Sequence, residues 1–168
     1  MPEERKVSYR LKRDALCGEL DASWAHREVT LNGWVARRRD HGGLIFIDLR
    51  DTAGLVQAVF DPRESGTCHA VAEEVRPEFV LALRGTVRPR PEGTVNPELG
   101  TGEVEVLVSD VEVLNTSETP PFEIRDEVGV DERVRLEYRF LDLRRDEMLA
   151  GFKLRHRVVN ATHAYLDA

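Results

Sequence analysis

The sequence predicts a mainly β protein: a small five-stranded barrel with one helix between the third and fourth strands, then a linker and a C-terminal helix. Three observations lead there. Between Glu28 and Asn115, short runs of alternating apolar residues are broken by Gly, Pro and Asp, the pattern of short strands joined by turns. Within that region only Thr67 to Val75 has helical spacing. After Asn115 the alternation ends and a proline-containing polar stretch follows.

The first strand is expected over Val29 to Arg37 and the second over Leu44 to Arg50, with Asp40, Gly42 and Gly43 as the turn residues between them. The tight turn Asp51-Thr52-Ala53-Gly54 leads into the third strand, Leu55 to Phe60. The helix from Thr67 to Val75 stops before Pro77, which cannot continue it. Strands four (Phe79 to Val87) and five (Gly102 to Asn115) flank a Pro/Gly-rich loop, Arg88 to Thr101. Three strands, a helix and two strands is the order of the OB-fold, a Greek-key barrel, and the position of the helix sets it apart from other small barrels. Residues 1–115 are assigned to it.

Residues 116–149 read as linker and hinge, beginning with Thr116-Ser117-Glu118-Thr119-Pro120-Pro121. Arg133 to Met148 is dense in charge, with Leu136, Tyr138, Leu141 and Leu143 spaced through it. Residues 150–168 form a last helix, on which Val158, Ala161 and Tyr165 repeat at i, i+3, i+7, and Phe152 and Val159 lie seven apart. That stripe has no partner in the sequence, which implies a dimer contact or a larger protein of which this chain is a fragment.

The 168 residues include 24 Lys plus Arg and 31 Asp plus Glu, for a net charge of −7, and 41% are apolar, enough for a buried core. No run approaches the ~18 apolar residues of a membrane helix, and Met-Pro-Glu-Glu-Arg-Lys carries no signal sequence, so a cytoplasmic protein is expected. Cys17 and Cys68 lie far apart without a CxxC pair, which points to free thiols rather than zinc or a disulfide. The five histidines are dispersed, and neither a Ser/His/Asp order nor a phosphate loop is present, so no catalytic or metal-binding residue is assigned. Net acidity argues against nonspecific coating of nucleic acid but leaves room for a local basic face.

Such a face is legible. On the second strand Ile45, Ile47 and Leu49 point one way, leaving Phe46 beside Asp48 and Arg50 on the other face. On the third, Gln57 sits opposite Val56, Ala58 and Phe60. An aromatic ring beside an amide suits stacking on a base and bonding its edge, whereas an unliganded Phe46 would only cover the flank of the barrel. Arg37, Arg38 and Arg39 open the first loop, and Arg88 and Arg90 open the loop between strands four and five, so five arginines are expected to converge where OB-folds bind oligonucleotides. Glu103 and Glu105 share a face of strand five, which is either a solvent face or a place where a carboxylate accepts from the amino group of cytosine.

Leu31-Asn32-Gly33-Trp34-Val35, Arg37-Arg38-Arg39-Asp40, Gly43-Leu44-Ile45-Phe46-Ile47-Asp48-Leu49-Arg50-Asp51, Gly54-Leu55-Val56-Gln57 and Thr101-Gly102-Glu103-Val104-Glu105-Val106 resemble the N-terminal anticodon-binding domain of bacterial aspartyl-tRNA synthetases. Tyr138-Arg139-Phe140-Leu141-Asp142-Leu143-Arg144-Arg145 resembles the hinge of the same family. The resemblance implies a class IIb homodimeric enzyme that activates aspartate with ATP and Mg²⁺ and transfers it to tRNA. It implies that Phe46 and Gln57 handle the middle anticodon base, that Arg39 contacts the anticodon, that Glu105 contacts the third base, and that Arg90 and Asn96 add contacts from the loop between strands four and five; Arg37 and Arg88 join the candidate anticodon site by their placement at the two loops. Motifs 2 and 3 of class II catalysis are absent, and the last helix looks like the start of motif 1, so the chain is expected to be part of a longer enzyme and to bind no cofactor itself. His41 and Gly93 resemble members that charge the tRNAs for both aspartate and asparagine, which implies a tRNA-dependent amidotransferase downstream. The alternatives are a strictly discriminating synthetase and a free-standing OB-fold protein that binds single-stranded nucleic acid.

Overall fold

The computed structural model describes residues 10–127 and 129–167. The chain forms two compact units, Met1–Thr119 and Pro120–Ala168. In the first, β1 (Glu28–His41), β2 (Leu44–Arg50), β3 (Leu55–Phe60), β4 (Val80–Pro89) and β5 (Val104–Asn115) close into a barrel in the order β1-β2-β3-β5-β4, with helix α1 (Gly66–Glu74) between β3 and β4. All neighbours are antiparallel except β3 and β5, which run parallel through the pairs Ala58↔Val106 and Val59↔Leu107. This is the OB-fold order expected from the sequence.

Alternation builds the interior. Ile45, Ile47 and Leu49 of β2 are fully buried, as are Leu31 and Val35 of β1, Val56 and Ala58 of β3, Leu81 and Leu83 of β4, and Val104 and Val106 of β5. Cys68 and Ala72 of α1 join this core, and the Ser65 hydroxyl caps the helix by accepting from the Cys68 N–H at 3.4 Å. Before the barrel, two 3₁₀ turns (Cys17–Glu19 and Ala22–Trp24) pack against it, with the Cys17 N–H donating to Asp51 Oδ2 at 2.7 Å. Both cysteines are free and buried. Burial and the neighbouring Asp51 push the Cys17 thiol well above the ordinary range.

Several boundaries differ from those expected. Strand β1 continues through Arg37 to His41, because the turn is only Gly42-Gly43, both at positive φ (62° and 81°), and a two-residue turn of this hand requires the strands to run right up to it. Arg37, Arg38 and Arg39 therefore lie on a strand and not in a loop. Likewise β4 runs to Pro89, so Arg88 is a strand residue paired with Glu105.

In the second unit, α2 (Glu132–Glu137) and α3 (Arg139–Asp142) occupy the charge-dense segment. Helix α4 (Asp146–Leu166) begins earlier than expected, where extended Arg145 precedes two acidic residues suited to a helix N-terminus. Asp142 is 1% exposed and accepts from Arg139 and from Arg145 Nε, the latter at 2.8 Å. Asp126 accepts from the Glu147 N–H at 3.0 Å in the first turn of α4. Phe152, Leu154, Val158 and Val159 of α4 are exposed. Among the described residues no helix is long and apolar enough to cross a membrane.

Candidate nucleic-acid interface

The strand registers place a polar row around the outside of the barrel. Asp48 of β2 is opposite Gln57 of β3, and Glu105 of β5 is opposite Arg88 of β4. The parallel pair Ala58↔Val106 sets Gln57 beside Glu105. The side chains connect along this row. Arg39 Nη2 donates to Asp48 Oδ1 at 2.7 Å and to Gln57 Oε1 at 3.2 Å. Gln57 Nε2 donates to Glu105 Oε2 at 2.9 Å, and Arg88 Nε donates to Glu105 Oε1 at 2.8 Å. One residue from each of the five strands is thus joined in a single hydrogen-bonded belt.

A groove of about 550 Å³ opens over this belt, lined by Arg39, Asp40, His41, Phe46, Gln57, Arg90, Thr94 and Asn96. Phe46 lies opposite Arg39 in the β1–β2 register, so its ring and that guanidinium share one wall. The other wall is the β4–β5 loop. It is held by the Arg90 N–H on Glu103 O (2.9 Å), Arg90 Nε on Val104 O (3.1 Å) and the Asn96 N–H on Gly102 O (3.1 Å). Gly102 permits that closure, because a Cβ there would lie 1.7 Å from the Asn96 carbonyl oxygen.

Two groups at this groove are left without partners inside the protein. Arg39 Nε and Arg90 Nη2 are buried and make no hydrogen bond. Burial holds the Arg90 pKa below its usual value; the nearby Arg39 charge adds to the lowering, while Glu105 and Asp48 oppose it. A buried N–H without an acceptor costs on the order of 1–3 kcal/mol, which an incoming oxygen would recover. Two guanidiniums that each carry a buried, unpartnered nitrogen, an aromatic face and a bonded amide suit a nucleotide better than an apolar molecule.

The structure brings Arg39, His41, Phe46, Gln57, Arg90 and Asn96 together, with Gly93 next to the lining residue Thr94. It corrects three expectations. The five arginines do not converge: Arg38 turns away and donates through Nε to the Ala72 carbonyl in the last turn of α1 (2.8 Å), and Arg37 is exposed outside the groove. Glu105 is neither on a solvent face nor an open acceptor, since it is 2% exposed beneath the groove with both oxygens bonded, and Glu103 lies before β5. Arg88 serves as its counter-ion. Asp40, Asp48 and Thr94 are additional participants; Asp48 was signalled by sharing the Phe46 face.

Residues 29–114 match the family model of the OB-fold nucleic acid binding domain of the tRNA anticodon type, and the chain belongs to that family. Among curated proteins, an aspartate-tRNA(Asp/Asn) ligase of Oleidesulfovibrio alaskensis is 59% identical over 92% of this chain. One of Moorella thermoacetica is 60% identical over 94%. The chain spans about a quarter of the length of these relatives, 26% of each. Among solved structures, an aspartyl-tRNA synthetase from Entamoeba histolytica superposes with a TM-score of 0.85 at 21% identity, covering 99% of this chain and 40% of that one, a likeness of fold.

Proposed function

We propose that this chain is the anticodon-reading part of an aspartate-tRNA ligase that serves the tRNAs for both aspartate and asparagine. The groove carries the reading: Phe46 offers a stacking face, Gln57 a bonded amide edge, and Arg39 and Arg90 offer buried N–H groups that lack acceptors. The two anticodons differ only in their third base, C or U. The carboxylate that would favour C is Glu105, and it is engaged inside the belt rather than turned to the groove. Relatives named for both tRNAs at 59% and 60% identity support the dual reading.

Within the whole ligase, aspartate activation with ATP and Mg²⁺, dimerisation and a cytoplasmic location belong to the same proposal, and the asparagine product requires a tRNA-dependent amidotransferase. Among the described residues no group of three or more His, Cys, Asp or Glu could hold a metal ion. The linker and hinge over 116–149 and the start of a catalytic domain at 150–168 complete the proposed organisation.

Fluorescence anisotropy with anticodon stem-loops at one fixed salt concentration tests the reading. The aspartate and asparagine loops are expected to bind within about tenfold of each other and more tightly than the same stem with an unrelated loop. Equal binding of all loops would replace the proposal with a nonspecific single-strand binder. A several-hundredfold preference for the aspartate loop would make it a discriminating synthetase.

A further inference from the structure

One wall of the groove stands on a stretch of strand with little support from the sheet. The pairing of β1 with β4 ends at Trp34↔Val80, and Val35 still bonds to Glu78 and Phe79. From Arg37 to His41 the only strand partner among the described residues is β2. A two-stranded ribbon is marginal in water on its own, and its open edge needs partners. Yet this ribbon supplies Arg39, Asp40 and His41 to the groove.

Two side-chain bonds tie the ribbon down, and both go to helix α1. Arg38 Nε donates to the Ala72 carbonyl at 2.8 Å, where the end of a helix leaves carbonyls without an intrahelical donor and its dipole favours a cation. His69 Nε2 lies 2.9 Å from the carbonyl oxygen of Gly43, in the turn, and since a carbonyl only accepts, the ring donates there. The helix is itself anchored, because Cys68 and Ala72 are buried in the barrel core. Arg38 and Arg39 are successive strand residues and point to opposite faces, so the ribbon has α1 behind it and the groove in front.

We infer that His69 and Arg38 are positioning residues for RNA binding, through which α1 holds the β1–β2 ribbon in place as a wall of the groove. This rests on the anticodon reading above. Neither side chain lines the groove. A free ribbon has to be ordered as the RNA binds, which subtracts from affinity, whereas a ribbon already held presents Arg39 and His41 in place. The tether acts on the wall as a whole, so its loss weakens the aspartate and asparagine loops alike.

The test is anisotropy on this chain with both anticodon stem-loops, at a temperature where circular dichroism shows every variant fully folded. Affinity is then read on folded molecules, and a loss of stability alone does not move it. His69→Phe keeps a ring but removes the donor, and is expected to weaken both loops by about threefold to tenfold, the range of one hydrogen bond. His69→Gln returns an N–H to the Gly43 carbonyl and is expected to bind within about twofold of the unaltered chain. Arg38→Met is expected to weaken binding without changing the slope of log affinity against log salt, whereas losing a phosphate contact would reduce that slope by about one.

Unchanged affinity in His69→Phe would overturn the inference and leave the anticodon reading standing. Equal weakening by His69→Gln and His69→Phe would also overturn it, since the ring and not its bond to Gly43 would then matter. A reduced salt slope in Arg38→Met would place that guanidinium on a phosphate and overturn its part in the tether. If Arg38→Met does not fold, the two His69 variants decide. Failure of the unaltered chain to bind either loop would overturn the anticodon reading, and this inference with it.

Discussion

Arg88 and Glu105 face each other across the β4–β5 ladder and are joined from Nε to Oε1 at 2.8 Å, with the arginine side chain 38% exposed and the glutamate 3%. The pair is lopsided, since one charge can reach water and the other cannot. Arg88→Met is therefore expected to destabilise the barrel by about 1–3 kcal/mol, the range for leaving a buried polar group unsatisfied. Adding Glu105→Gln to Arg88→Met, which neutralises the buried carboxylate while keeping an acceptor for Gln57, should recover part of that loss. Urea unfolding of the single and double variants checks this; a double variant no more stable than Arg88→Met would show that Glu105 is not the member that depends on the pair.

Phe46→Ala is expected to weaken anticodon stem-loop binding by about 1–3 kcal/mol, the usual value of one base stacked on an aromatic ring. The melting temperature should change little, because Phe46 is only half-buried on the outer face while Ile45 and Ile47 fill the core. A variant that unfolds easily yet binds normally would make Phe46 a structural residue.

Arg10 Nη2 donates to Asp110 Oδ1 at 2.8 Å, and this bonding holds the Asp110 carboxyl below the usual carboxylate range against the opposing effect of burial. A depressed folded-state pKa contributes stability that is present above the unfolded value, about 4, and lost as pH falls through the folded one. Asp110→Asn should therefore melt below the parent near neutrality and converge with it in strong acid. A gap that persists or widens in acid would refute this.

Gly93 sits at φ 79°, with nothing within 4 Å of where a Cβ would lie. Space is free there but the backbone is not: a side chain incurs roughly 1–2 kcal/mol of left-handed strain, least for Asn. Gly93→Asn with His41→Leu is expected to stiffen the two walls of the groove and narrow the full-length ligase toward the aspartate tRNA. Charging assays on the two tRNAs decide it, and an unchanged ratio would remove both residues from the specificity argument.

Strands β2 and β3 were legible in the sequence to the residue, because each is bounded by turn residues and one face of each is uniformly apolar. The end of β1 was not, since four charged residues before a turn resemble a loop and nothing local shows that the turn has only two residues. Arg38 was misplaced with it: on a strand, unlike in a loop, successive arginines point to opposite faces, and a β-bulge between Val35 and Arg37 shifts that alternation. The lining of the groove was largely readable, because Phe46 is out of place on a polar face and Gln57 in an otherwise apolar strand. The belt was not. The partner of Glu105 depends on β3 lying parallel to β5, a pairing across 48 residues that no local pattern announces.

That same pairing is the thinnest joint in the ring, two register pairs against seven or more for β1 with its neighbours and ten between β4 and β5. Gln57 and Glu105 bridge it on the outside like a rivet across a seam. An RNA loop that engages Gln57 therefore fastens the place where the cylinder would first part. In hydrogen–deuterium exchange, the amides of β3 and the first half of β5 should slow on RNA binding more than those of β1 or β4, although the base itself touches only side chains. Anticodon recognition and closure of the barrel would then be two readings of one bond.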